Sequence, residues 1–415
     1  MTIRVDTMRR IDHLAGVPLC AILTPFVYLY DFVNRLFHRS PISPKKVLFI
    51  ELSEMGSAIL VDPAMRDTIA RGADIYFLIF KSNQASLELL QTVPTDRILT
   101  IDASGLFALI QTTLTTLLKI HRLNIDTVID LELFSRFTAL LTGCSGARRR
   151  VGYHIFHGEG LWRGDLLTHK VHYNPHIHIA KNFLSLVHAA FSTESELPYS
   201  KIPLANQVIE LAQAQVSEAQ KSQITSRIHT LIQDRFPIFP TTIILINPNA
   251  SDLLPQRRWA PERFAQLIQT AAIEWPDAVF LVTGSPEEKQ YAQHVLDMAS
   301  SPNAYNFAGM VKFGELPALY HVSHVMVTND SGPGHFSSVT PLPTIVLFGP
   351  ETPALYGSLG KSIPIFAGLA CSPCVSAANH RKTPCTNNLC MQAITVPEVI
   401  EAMKHWLAKS TYVQR

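Results

Sequence analysis

The feature that most constrains this chain is an alternation met twice. Short apolar runs rich in β-branched residues are separated by stretches of helical length. The first series contains "KVLFIEL" (46–52), "DIYFLIF" (74–80), "RILTID" (97–102), "DTVIDLEL" (126–133) and "RRVGY" (149–153). Helical stretches lie between them near 57–71, 83–92 and 105–122, with another ending near 142. Buried strand runs alternating with helices specify parallel strands covered on both faces. A mostly helical segment (176–234) follows, interrupted by a polar, proline-containing stretch at 192–203. The second series is "TIILINPN" (242–249), "AVFLVTG" (278–284), "HVMVTND" (324–330) and "PTIVLFGP" (343–350), with helices at 261–273, 287–299, 314–323 and 397–409. The expectation is an α/β protein of two doubly wound halves joined near residue 200. A length of 415 residues, beyond what one core ordinarily holds, agrees with it.

Residues 1–45 fall outside that pattern. Positions 14–30, "LAGVPLCAILTPFVYLY", carry no charge, and basic residues flank them on both sides. The run is slightly shorter than the ~20 residues of a spanning helix. Pro18 and Pro25 are expected to interrupt it. Basic flanks around an apolar segment suit a cytoplasmic membrane interface, while packing on the protein's own core is the alternative. The net charge of +2 removes the strongly basic class of nucleic-acid binders.

In open α/β sheets ligands sit at the carboxyl ends of strands, so the polar turns there are the ones to inspect. "VTNDSGPGHFSSV" (327–339) leaves a strand through Asp330, Ser331, Gly332 and Gly334 into a helix start bearing His335. Backbone N–H groups at such a turn suit a phosphate, and Asp330 suits a sugar hydroxyl or a helix cap. "NPNASDLLPQRRWAPERF" (247–264) brings Ser251, Arg257 and Arg258 to a second strand end, and arginine matches a diphosphate by its forked donors. "TGSPEEKQ" (283–290) offers Glu287 to a ribose, and "FGPETP" (348–353) makes a rigid turn at a fourth position.

Together these turns resemble the C-terminal half of glycosyltransferase family 9, the lipopolysaccharide heptosyltransferases. "KVLFIELSEMGSAILVDPAM", "ARRRVGY" and the late "CSPC" extend the resemblance over roughly residues 46–409. It implies a GT-B fold, with two Rossmann-like domains facing across a cleft: 46–200 for the acceptor and 201–415 for the nucleotide-sugar donor. It also implies inverting transfer without a metal cofactor. Asp330, Ser331, Gly332 and His335 match the family's donor motif; Arg257 stands where the family usually has lysine, and Ser251 and Glu287 lie near its other donor ligands. The resemblance thus implies a donor such as ADP-heptose, a lipid-linked or lipopolysaccharide core acceptor, and a peripheral place on the inner membrane.

The family's catalytic aspartate is replaced here by Ser57, a hydroxyl that cannot serve as a base near neutrality. Glu54 is the first substitute and Asp62, two turns on, the second; the third outcome is a sugar-nucleotide-binding protein with little or no catalysis. Arg148, Arg149 and Arg150 face either an anionic acceptor or plain solvent. His169, His172, His176 and His178 read as a solvated or interface strip. Cys371, Cys374, Cys385 and Cys390 are reduced thiols, a structural zinc set or a disulfide pair, and their spacing leaves all three open.

Overall fold

The alternation becomes two parallel six-stranded sheets. The computed structural model describes residues 5–37, 43–52, 55–133, 135–158, 161–251, 254–376, 379 and 381–410. Residues up to 210 form one compact unit, and residues 211–376 with 382–415 form the second. The division falls at residue 210, seven residues past the polar stretch (192–203) expected to join them.

The first sheet holds β1 (Lys46–Ile50), β2 (Asp74–Phe80), β3 (Ile98–Ile101), β4 (Thr127–Asp130), β5 (Arg149–Tyr153) and β6 (His169–Val171) in the order β3-β2-β1-β4-β5-β6. Its helices are α1 (Val5–Leu14), α2 (Gly16–Phe37), α3 (Met55–Leu60), α4 (Asp62–Ala70), α5 (Ala85–Glu88), α6 (Leu106–Arg122), α7 (Arg136–Cys144) and α8 (Ile179–Phe191). The second sheet holds β7 (Thr242–Asn247), β8 (Ala278–Val282), β9 (Ala304–Asn306), β10 (Val325–Asn329), β11 (Thr344–Phe348) and β12 (Ser362–Phe366) in the order β12-β11-β10-β7-β8-β9. Its helices are α9 (Glu218–Ile232), α10 (Pro261–Glu274), α11 (Lys289–Ala299), α12 (Leu316–His321), α13 (Gly332–Ser337), α14 (Pro353–Tyr356), α15 (Leu389–Gln392) and α16 (Val396–Ser410). In each sheet the strand order reverses between the first strand and the fourth, β1/β4 and β7/β10. That reversal opens a crevice above the carboxyl ends.

The cores follow from the strands. Every residue of β4, β5, β8, β10 and β11 is buried. On one face of the first sheet, Leu48, Ile50, Leu78 and Val128 pack with Ile120 of α6 and Leu141 of α7. In the second unit Trp259, fully buried, joins α10, α11 and α16 to the sheet and donates its indole N–H to Ile394 O at 3.1 Å.

Several expectations change. α2 runs unbroken for 22 residues through both prolines. Pro18 lies in the first turn, where no N–H is needed, and Pro25 forgoes one hydrogen bond. One face of α2 packs on α7 through Cys20, Val27 and Ala139. Two of the three arginines face neither an acceptor nor solvent, because β5 buries Arg149 and Arg150; Arg148, just before the strand, is half-buried. Arg150 is 1% exposed, with both Asp31 oxygens at 2.7–2.8 Å from Nη2. Arg149 donates to Ala190 O and Ser192 O. The histidines divide: His172 and His176 are exposed, while His169 and His178 are not. His169 is largely enclosed beside Arg149, and burial with the Arg149 and Arg150 charges pushes its pKa down to about 4. His178 caps α8 by accepting the Ala180 N–H.

Candidate functional site

The polar turns of the second unit meet at its β7/β10 crevice. Asn329, the last residue of β10, ties two of them together: its Oδ1 accepts the Trp259 N–H at 3.0 Å, and its Nδ2 donates to Pro248 O at 2.9 Å. The loop leaving β7 is thereby fixed to the end of β10. Arg258 clamps the same loop through Ala250 O, and Asn388 reaches Gln256 O and Arg258 O at 3.1 and 3.0 Å.

Arg257 ends the short 3₁₀ turn Pro255–Arg257 within this frame. Its Nη1 donates to Asp330 O at 3.3 Å and lies 3.7 Å from Asp330 Oδ2 and 3.8 Å from Glu351 Oε2. Both carboxylates are almost wholly buried, while the guanidinium keeps 16% of its side chain exposed. Two acids therefore aim one cation without closing on it, since a tight pair of this type sits nearer 2.7–2.9 Å. Glu351, in "FGPETP", is a member that sequence reasoning missed, because that turn read as a rigid corner. A buried-strand run ending in an acid beside a glycine turn was the available signal.

The Asp330–His335 turn is built as anticipated in place but not in electrostatics. Ser331 is extended and hydrogen-bonds Asn329 O at 3.2 Å. A Cβ on Gly332 would fall 2.8 Å from the Phe336 ring, so that position admits only glycine without rearrangement. Gly334 packs against Val346 of β11. α13 has six residues, under two turns, so its macrodipole is small and the turn's own N–H groups are what it offers an anion. His335, half-buried, lies in that helix.

The remaining donor-side candidates are looser. Ser251 is exposed at the end of the β7 loop. Glu287 is exposed in the turn Pro286–Glu288, and hydrogen bonds with the local backbone and Ser285 hold its carboxyl below the usual range. Asn249 and Gly284 approach so closely that a Cβ on Gly284 would meet Asn249 Nδ2 at 2.7 Å, which joins the β7 and β8 ends.

In the first unit, Ser57 is buried in the first turn of α3. Glu54 lies outside the described residues. Asp62 is fully buried and accepts from Thr92 Oγ1 at 2.6 Å and Arg66 Nε at 2.8 Å, so it is a packing residue and not a base. The β1/β4 crevice holds acids that the sequence reading passed over. Glu132 Oε1 accepts the Leu52 N–H at 3.3 Å, two residues past the end of β1. Asp130, fully buried, pairs with Arg163; burial pushes its carboxyl up to about 6 against the lowering effect of that arginine.

The four late cysteines are free thiols. Cys374 Sγ meets Thr383 Oγ1 at 3.4 Å and Cys385 Sγ meets Asn387 O at 3.1 Å. Among the described residues no three His, Cys, Asp or Glu side chains are arranged to hold a metal ion.

The family model "Glycosyltransferase family 9 (heptosyltransferase)" matches residues 118–383. The chain belongs to glycosyltransferase family 9. Its fold is similar to a family 9 glycosyl transferase of Veillonella parvula, with a TM-score of 0.65 at 18% identity over 88% of this chain and 98% of that one. It is also similar to the E. coli ADP-heptose lps heptosyltransferase II, with a TM-score of 0.63 at 19% identity over 88% and 99%. Both likenesses carry the two-Rossmann GT-B fold. In sequence, the Lipooligosaccharide heptosyltransferase 2 of Campylobacter jejuni is 24% identical over 176 residues. That match covers 40% of this chain and about half of the relative's length.

Proposed function

We propose that this family 9 glycosyltransferase moves a heptose-type sugar, with inversion, from a nucleotide diphosphate to a hydroxyl of a lipopolysaccharide-type acceptor. The observation that carries the reading is the Arg257 fork, aimed by Asp330 and Glu351 yet still partly exposed at the β7/β10 crevice. The acceptor oxygen attacks the anomeric carbon as the bond to the diphosphate breaks, and the electron pair leaves with the phosphate. Arg257, His335 and the N–H groups of Ser331 and Gly332 take up the charge that develops there. A preorganised donor of this kind is worth about 10²–10³ in rate. Asp330 holds a sugar hydroxyl, Ser251 a phosphate or sugar oxygen, and Glu287 the ribose. ADP-heptose, the donor named for the E. coli relative, fits this assignment. No metal takes part in this scheme.

The acceptor proton goes to a carboxylate of the first unit. Glu54 is the base in this reading. Glu132 is a second candidate because its carboxylate already holds the Leu52 N–H just past the end of β1. With a lipid-linked acceptor, the chain works on the cytoplasmic leaflet, where residues 1–45 hold it. The competing account, a sugar-nucleotide-binding protein with little transfer, draws on Ser57, whose buried hydroxyl supplies no base.

The test is transfer from ADP-heptose to a truncated lipopolysaccharide acceptor, followed by mass spectrometry, for the parent chain, Glu54→Gln and Glu132→Gln. The expected result is transfer by the parent and a loss of roughly 10²–10⁴-fold in the variant that lacks the base. ADP binding without any transfer by the parent would establish the competing account. Equal rates in all three would remove both carboxylates from the role.

A further inference from the structure

α6 exposes a stripe that a soluble helix would cover. Leu106, Phe107, Ile110, Leu114 and Leu118 recur at helical spacing on its outer side, each more than half exposed and Phe107 81% exposed. Thr116 and Ile120 are buried on its inner side, and Leu109 and Leu117, partly buried, pack against the core. α2 carries a matching stripe at Ile22, Phe26, Leu29, Val33 and Leu36.

The two stripes belong to one side of the first sheet. α6 and α7 cover the same sheet face through Ile120 and Leu141, and α2 packs on the outside of α7. The C-terminal ends of α2 and α6 also converge: Tyr30 Oη donates to Gly146 O at 2.5 Å, and a Cβ on Gly146 would lie 2.9 Å from His121 Nε2. Exposed apolar area on this scale exceeds the few hundred Å² that a monomer ordinarily leaves to water.

Charge decides what covers it. Asp12 of α1 and Asp31 of α2 are turned inward, onto Arg136 and Arg150. The exposed charges at the edges are basic: Arg10, Arg35, Lys119 and Arg122. A second copy seated on this face would bring like charges together at its rim, whereas anionic headgroups complement them. α2, at 22 residues, is long enough to span a bilayer, but the Asp31–Arg150 pair holds it along the protein. We infer that α2 and α6 together form one docking face on which the first unit lies against an anionic lipid bilayer. The inference deepens the membrane-side reading above and rests on it. In this arrangement α6 contributes contacts independent of residues 1–45. Its N-terminal end, bearing Leu106 and Phe107, follows β3, so the face reaches the carboxyl-end rim of the first sheet.

The test is flotation of the full chain on vesicles of phosphatidylethanolamine and phosphatidylglycerol, with and without Phe107→Gln, Ile110→Gln, Leu114→Gln and Leu118→Gln combined. The parent floats, less so at high salt, and the α6 variant partitions at least tenfold more weakly with an unchanged thermal melt. Equal flotation of variant and parent would overturn the role of α6. A parent that stays off the vesicles and is a dimer in solution, made monomeric by the same substitutions, would assign the face to a second copy. ADP binding measured on both proteins keeps this test apart from the donor reading: its loss in the parent would sink the donor site and leave the lipid result standing.

Discussion

Both units place an arginine between acids at the crevice where their strand order reverses, and they use it in opposite ways. Arg163, 8% exposed, donates to Asp130 Oδ2 and to the carbonyl of Glu132, and is sealed in. Arg257 lies 3.7–3.8 Å from its two carboxylates and remains partly open. The first unit also spends Arg136 on Asp12, Arg149 on backbone carbonyls and Arg150 on Asp31. A guanidinium closed on its partner fixes elements together, whereas one aimed but unclosed can still take an anion. The contrast sets a closed scaffold cation, Arg163, beside one that is proposed to meet a ligand, Arg257.

The largest effect that tests this difference is on stability. Arg163→Met leaves Asp130 buried without its partner and is expected to cost about 3–5 kcal/mol in denaturant unfolding. A loss under about 1 kcal/mol would mean that Arg163 is not the sealed cation described.

A pH titration sharpens the same point. His169, enclosed beside Arg149, has its folded pKa pushed down to about 4 from an ordinary 6.5. Between those values the unfolded chain takes up a proton that the folded one refuses. Stability from this group is therefore full above pH 6.5 and falls as pH drops toward 4, by up to about 3 kcal/mol at 1.4 kcal/mol per unit. Asp130 works in the opposite direction, since its raised carboxyl favours the folded state at low pH. The comparison of parent with His169→Gln isolates the histidine: the variant's stability curve should be flatter over that window. Parallel curves would show that the ring is not enclosed. The smallest effect belongs to the donor side, where Glu287→Gln weakens one exposed hydrogen bond to the ribose. If Glu287 holds the ribose as proposed, Gln keeps an acceptor but loses the charge, and ADP binding is expected to weaken by about 1 kcal/mol, roughly fivefold.

The strands of the two sheets were legible because buried parallel strands read as unbroken apolar runs. "DIYFLIF" and "RRVGY" match β2 and β5 to the residue. β6, β9 and β12 were not legible. They are edge strands of three to five residues, only partly buried, and one carries Pro364. The arginines of β5 misled for the same reason that they matter: a run of three cations reads as surface unless the inward-facing Asp31, over a hundred residues away, is known. On the site, the glycine turn and Arg257 could be named from sequence because their chemistry is local. Glu351 and Glu132 could not, because each acts through a residue brought to it by the topology, Arg257 in one case and the Leu52 N–H in the other.

The central claim, that Arg257 is held open for a diphosphate, is tested most directly by calorimetric titration of ADP into the parent chain and Arg257→Lys. Lysine keeps the charge but not the fork. The account predicts that the variant unfolds within about 0.5 kcal/mol of the parent and binds ADP about tenfold more weakly, a loss of about 1.4 kcal/mol. Equal ADP affinity together with a marked loss of stability would contradict it, and would place Arg257 with Arg163 among the scaffold cations.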